Sequence, residues 1–258
     1  MRARLNKRAL GGAILAALVL GPACGIAAPA APAAGRNVVI VPGAFIDGSS
    51  WRVVHDILYH KGYRVSIVPV SHATLEDDVA ATRRVLAQQT GKVVLVGGGI
   101  GGAVIGHAGQ GDKVKALVYV AALAPEVGES AGQLLRAIPA ASTGARPDFS
   151  GLYWFDRDKF HEDLVADLSP NRAWFLAASQ VPVSQHFLGT QSYAAVWRKK
   201  PSYAVVATRD RVLHPDSQRM MYKRARARIT ELDTSHAVQL ARPEDVAAVI
   251  ERAALDTF

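Results

Sequence analysis

The sequence predicts an α/β fold, a mostly parallel sheet doubly wound with helices, on three observations. Half of its 258 residues are hydrophobic, enough for one substantial core. From Asn37 onward, short β-branched runs alternate with stretches of helical spacing, the pattern of a parallel sheet covered on both faces. In mid-chain, the glycine-rich turn Gly97-Gly98-Gly99-Ile100-Gly101-Gly102 joins an apolar strand to a helix.

Residues 1–34 stand outside that alternation. Arg2, Arg4, Lys7 and Arg8 precede the apolar run Ala9–Leu20, and Ala/Pro-rich sequence follows with A-x-A sites at Ala28-Pro29-Ala30 and Ala31-Pro32-Ala33. That is the pattern of a secretory signal peptide with a linker, cut near residues 30–34, so a secreted or periplasmic domain over 35–258 is expected, with no membrane span. Cys24, the only cysteine, follows Gly-Pro-Ala, a poor lipoprotein site, and lipid anchoring is not expected. The exported part then has no disulfide, no thiol nucleophile and no thiolate metal ligand. The net charge of +8 falls to +4 without the four N-terminal cations, and the remaining basic residues are scattered. No nucleic-acid partner is indicated.

Asn37–Val41, ending at Pro42-Gly43, reads as the first core strand. Ser50 is placed to cap a helix whose apolar positions are Trp51, Val54 and Leu58. Tyr63–Val70 alternates as a second strand. Thr74 caps the next helix, with Glu76, Asp77 and Asp78 suiting the dipole of its first turn and Leu75, Val79, Thr82 and Leu86 forming its buried stripe. Val93–Val96 is a short buried strand, Ala103 onward a helix, and Val114–Val120 the following strand.

Strand, tight turn and helix is the setting of the nucleophile elbow, G-x-S-x-G. Gly97 and Gly101 supply its frame, and Gly99 stands at the nucleophile's seat. The rival reading is a dinucleotide fingerprint, since Gly97, Gly99 and Gly102 also spell G-x-G-x-x-G. That motif needs a ribose-binding carboxylate at the end of the next strand, and none occurs until Glu126. The elbow is the better reading.

Residues 123–200 break the rhythm. They hold no clear strand, but helical stretches around Ala131–Ile138, Lys159–Leu168 and Asn171–Ser179, and many aromatics, among them Trp154, Phe155 and Phe175. A helical cap insertion over an apolar pocket is expected, although the same aromatics could form the insertion's own small core. Alternation resumes with Ser202–Thr208, Pro215–Ala227, Ile229–Leu232 and a final helix after Pro243 that buries Val246, Val249, Ile250 and Ala253. No metal site emerges, because His161-Glu162-Asp163 and His214-Pro215-Asp216 lack ligand spacing on one helical face.

The chain from 37 to 255 resembles the α/β-hydrolase family, in the compact subgroup of plant methyl-ester esterases, hydroxynitrile lyases and bacterial esterases. The resemblance rests on Pro42-Gly43-Ala44-Phe45 with Asp47-Gly-Ser-Ser-Trp51, the elbow, Ala207-Thr-Arg-Asp210 with Pro215, and Ser235-His236-Ala237-Val238, in the family's order. It implies that Asp210 is the triad's acid, His236 its base, and the N–H groups of Ala44 and Ile100 the oxyanion donors. From the aromatic-rich insertion, a small apolar or aromatic substrate is expected, met by Phe45, Trp154, Phe155 and Phe175, and no cofactor is expected. Three positions depart: Gly99 replaces the serine, Gly98 the histidine common before it, and Pro42 begins the pair that is usually His-Gly.

Glycine has no side chain, so no acyl-enzyme can form at Gly99. A histidine oriented by a carboxylate remains a general base. Three outcomes stay open on sequence: a non-serine enzyme using the His236/Asp210 dyad, a non-catalytic ligand-binding protein, and hydrolysis through activated water or an inactivated esterase. Ser49, Ser50 and Ser235 are weak substitutes for the missing nucleophile.

Overall fold

In a computed structural model, which describes residues 35–258, the chain begins β1 (Gly35–Val41), α1 (Arg52–His60), β2 (Arg64–Ile67), α2 (Leu75–Ala87), β3 (Gly91–Gly98), α3 (Gly101–Ala108), β4 (Val114–Val120). Next come α4 (Ala131–Ala137), β5 (Ala145–Pro147), β6 (Leu152–Phe155), α5 (Arg157–Leu164), α6 (Pro170–Ala178), β7 (Val183–Ser184) and α7 (Gln185–Gly189). The chain closes with β8 (Ser202–Ala207), α8 (Pro215–Arg224), β9 (Arg228–Leu232), α9 (Val238–Ala241) and α10 (Pro243–Thr257). The central sheet has the order β2-β1-β3-β4-β8-β9, and every pairing in it is parallel.

Successive side chains of the strands face opposite layers. Val39, Val41, Leu95, Leu117, Tyr119 and Val206 join the core that includes residues of α2, α3, α8 and the cap segment. Val38, Ile40, Val96, Val118 and Val205 join the second core, with α1 and α10. Both faces are therefore buried, which explains why these strands read as unbroken apolar runs. The expected stripe of α2 is buried throughout, and Thr74 caps that helix by accepting from the Asp77 N–H at 3.0 Å. Val246, Val249, Ile250 and Ala253 of α10 are buried as well.

Two details differ from the sequence reading. Asp47, not Ser50, caps the turn at Gly48–Trp51, while the buried Ser50 hydroxyl donates to the Asp47 carbonyl at 2.8 Å. The segment between β4 and β8 also contains strands, since β5, β6 and β7 form a small antiparallel sheet. These strands are two to four residues long, too short to show a period. The signal-peptide reading and Cys24 lie outside the described residues. Among the described residues, no helix is long and apolar enough to cross a membrane.

Candidate active site

The end of β3 and the turn that follows it are glycine because their neighbours leave no room. A Cβ on Gly97 would lie 2.8 Å from the Gly101 backbone, and one on Gly101 would lie 2.7 Å from the Pro42 carbonyl oxygen. A Cβ on Gly98 would meet the Trp51 indole at 2.8 Å. Trp51 thus fills the space that a larger residue at 98 would need. Gly99 is different. Its φ of +50° is the left-handed conformation that glycine adopts without strain, and its Cβ would have ordinary contacts, 3.4 Å from His236 Nε2 and 3.5 Å from Gly43 Cα.

Asp210 and His236 come from the turns after β8 and β9. Asp210 Oδ2 accepts from His236 Nδ1 at 2.7 Å and from Gln218 Nε2 at 2.8 Å. Its other oxygen accepts the Val212 and Leu213 N–H groups at 2.8 and 2.9 Å. Four donors hold this fully buried carboxylate as an acceptor, so Nδ1 of His236 carries the hydrogen and the lone pair lies on Nε2, toward Gly99. Burial pushes the His236 proton affinity down, but the Asp210 charge and hydrogen bond push it up further, and its pKa stands above the ordinary histidine value. Arg209 braces the same corner, bonding Asp233 at 2.7 Å and Asp167 at 2.6 Å. Asp167 takes the Ser235 hydroxyl at 2.7 Å, which turns that serine away from the histidine.

His236, Gly99, Ile100, Ala44, Phe45 and Phe155 share the wall of one cavity of about 880 Å³. The N–H groups of Ala44 and Ile100 have no acceptor among the described residues. Phe45, itself at φ +69°, sits edge-on to Phe155 with ring centroids 5.4 Å apart. Leu135, Leu188, Val212 and Leu213 widen the apolar lining. Trp154 and Phe175, expected at the substrate, do not line this cavity. Trp154 alternates with Phe155 along β6, so it faces outward, 40% exposed and bonded to Asp148 at 3.0 Å. Phe175 lies on the outer side of α6 and is 70% exposed.

A model of the alpha/beta hydrolase family matches residues 38–249. The chain belongs to the alpha/beta hydrolase family. No curated protein sequence matches it. Among solved structures, this alpha/beta hydrolase is similar to a pyrethroid hydrolase from Sphingobium faniae JZ-2, with a TM-score of 0.73 and 24% identity over 85% of this chain and 97% of that one. Polyneuridine aldehyde esterase follows at a TM-score of 0.71 and 17% identity, covering 84% of this chain and 98% of its own. An extracellular alpha/beta-hydrolase from a Paenibacillus species gives the same four figures, a TM-score of 0.71, 17% identity and coverage of 84% and 98%. At these identities the likeness extends to the fold.

Sequence reasoning missed Gln218. Its side chain is fully buried, donates to Asp210 and to the Leu213 carbonyl, both at 2.8 Å, and accepts the Ala207 N–H at 3.1 Å. The signal was a glutamine on the inner face of α8, eight residues after the acid, but a polar residue in that position carries no mark of its partner.

Proposed function

We propose that this alpha/beta hydrolase is an enzyme without a serine nucleophile. His236, oriented by Asp210, serves as general base on a small apolar or aromatic carbonyl compound. One observation carries the reading: the unprotonated nitrogen of His236 faces Gly99 on the wall of an apolar cavity, beside two backbone N–H groups without acceptors. A proton removed next to a carbonyl leaves an enolate, and the Ala44 and Ile100 N–H groups are placed to receive its oxygen. That chemistry serves a lyase, isomerase, cyclase or cofactor-independent oxygenase. With no oxygen on residue 99, the acyl-enzyme route is closed. The basic, apolar and Ala/Pro-rich start of the chain supports export to a secreted or periplasmic location.

A second reading is favoured by a specific void of about 20 Å³ lined by Gly43, Gly98, Gly99 and His236. That is room for one water, which His236 could deprotonate for attack on an ester. The pyrethroid hydrolase and the esterase of similar fold suggest esters as the substrates to try.

The deciding experiment offers aryl and alkyl esters and ketones to the protein in D₂O. Deuterium uptake beside the carbonyl that disappears in His236→Ala supports proton abstraction. Release of acid and alcohol, again dependent on His236, selects the water reading. Ligands that bind but neither exchange nor react would sink both and leave a binding protein.

A further inference from the structure

The fold contains a second buried aspartate–histidine pair, which the proposed chemistry does not use. His72, in the loop between β2 and α2, and Asp78, in the first turn of α2, are each only 1% exposed. His72 Nδ1 lies 2.8 Å from Asp78 Oδ2, and His72 Nε2 lies 3.1 Å from the Gly43 carbonyl oxygen. The other Asp78 oxygen accepts the Ser71 and His72 N–H groups at 3.0 and 3.3 Å. A carbonyl oxygen only accepts, so Nε2 of His72 carries a hydrogen and donates it to Gly43. The Phe187 ring closes the site edge-on, 6.0 Å away, and the Ser184 N–H donates to the His72 carbonyl at 3.0 Å.

What this pair grips matters. The carbonyl of Gly43 and the N–H of Ala44 belong to one peptide group, and no peptide among the described residues is cis. In a trans peptide the two point in opposite directions. With its carbonyl drawn to His72, the group turns the Ala44 N–H away from His72, and Ala44 shares the cavity wall with Gly99, Ile100 and His236. A hydrogen bond to the carbonyl also polarises the amide and strengthens its N–H as a donor. The next peptide is tied separately, with the Phe45 N–H donating to the Val181 carbonyl at 2.7 Å. Pro42 and Gly43 offer no side-chain donor of their own to hold this loop. His72 itself sits at φ +55°, a strained conformation for a residue with a side chain, kept where surrounding contacts demand it.

We propose that His72, held by Asp78, is a positioning residue that aims the Ala44 N–H into the site as an oxyanion donor. This rests on reading the cavity around His236 as the reactive site. It assigns a role to a buried pair about thirty residues downstream of the loop it controls.

The test uses the full chain labelled with ¹⁵N. Nε2 of His72 should carry a hydrogen bonded to the Gly43 carbonyl. His72→Asn tolerates the left-handed backbone but is too short to reach Gly43. It should move the Ala44 amide resonance and speed its exchange, while the Asp210–His236 proton stays in place. In the Gly99→Ser background, His72→Asn should lower kcat on 4-nitrophenyl acetate by about 10- to 100-fold with little change in KM. His72→Gln, whose amide can still donate, should recover part of the loss. A His72 Nε2 without a hydrogen, an unmoved Ala44 amide, or a loss that falls on KM overturns the proposal; the ring measurement on the unmodified protein decides even if a variant fails to fold. Should Gly99→Ser show no turnover at all, the catalytic reading of the cavity suffers, and the ring and amide measurements still judge His72 separately.

Discussion

A Cβ built on Gly99 lies 3.4 Å from Nε2 of His236, and the Gly99 backbone has a φ of +50°. The contact is ordinary van der Waals distance, so an oxygen one bond beyond that carbon can reach the histidine's lone pair. The backbone already has the left-handed turn that a nucleophile elbow imposes on a serine. On the function proposed above, residue 99 lacks only a side chain.

Gly99→Ser should therefore create an esterase. Loss of a triad nucleophile costs on the order of 10⁶-fold, so recovering even a small part should raise hydrolysis of 4-nitrophenyl acetate by at least about 100-fold over the unmodified protein. The serine should destabilise the fold by about 1–3 kcal/mol through its left-handed backbone. Ester kinetics and thermal melting together check both halves. A folded variant with no gain would mean that the histidine or the oxyanion donors are misplaced for acyl transfer.

His236 sets the pH dependence. Burial disfavours its charged form, while the Asp210 charge and hydrogen bond favour it and prevail, so the folded pKa lies above the ordinary value of about 6.5. The proposed base is the neutral ring, so activity dependent on His236 should fall on acidification with an inflection above that value. The linked stability has the opposite sense: it is fully present below the unfolded pKa and is lost as pH rises through the folded one. Asp210→Asn should move the NMR titration of the His236 ring downward and remove that slope from the stability curve. An unchanged titration would mean that Asp210 does not govern the histidine.

Much of this architecture was legible before the structure. β4 and the buried face of α10 coincide with the sequence reading, since Val114–Val120 is apolar but for Lys115 and Val246, Val249, Ile250 and Ala253 keep a helical period. The closeness of Asp210 and His236 followed from their places in turns at one sheet edge, once the motif order was recognised. What escaped were features set by direction and by distant partners. Trp154 and Phe155 are adjacent aromatics of equal appeal in sequence, and only the facing of β6 separates cavity wall from surface. Asp78 looked like a dipole-compensating acid at a helix start, yet it is buried on His72 because the preceding loop folds back over α2. No local pattern encodes that return.

Gly98 gives a packing prediction. Its absent Cβ would stand 2.8 Å from the Trp51 ring, closer than real carbons approach. Gly98→Ala should destabilise the protein by about 1–3 kcal/mol, as overpacking does. Trp51→Phe removes the part of the indole that would be struck, so the double variant should lose less than the two single variants combined. Denaturant melts of the four proteins measure the coupling, and strict additivity would show that the turn relaxes on its own.

The two faces of the cap segment separate binding from surface. Phe155 is 2% exposed, lines the cavity and packs edge-on against both Phe45 and Phe160, at 5.4 and 5.8 Å. Phe155→Leu keeps an apolar side chain there but gives up two aromatic pairs, each worth about 0.5–1.5 kcal/mol. It should lower stability by that order and weaken binding of 1-naphthyl acetate severalfold, because the ring that shapes the wall is gone. Phe175→Ala removes a side chain that meets mostly solvent, so stability should stay within about 0.5 kcal/mol and naphthyl ester affinity should not change. Titration calorimetry with each variant makes the comparison at one temperature. If Phe175→Ala weakens binding more than Phe155→Leu does, the aromatic ligand sits on the outer face of α6 and the cavity beside His236 is not where it binds.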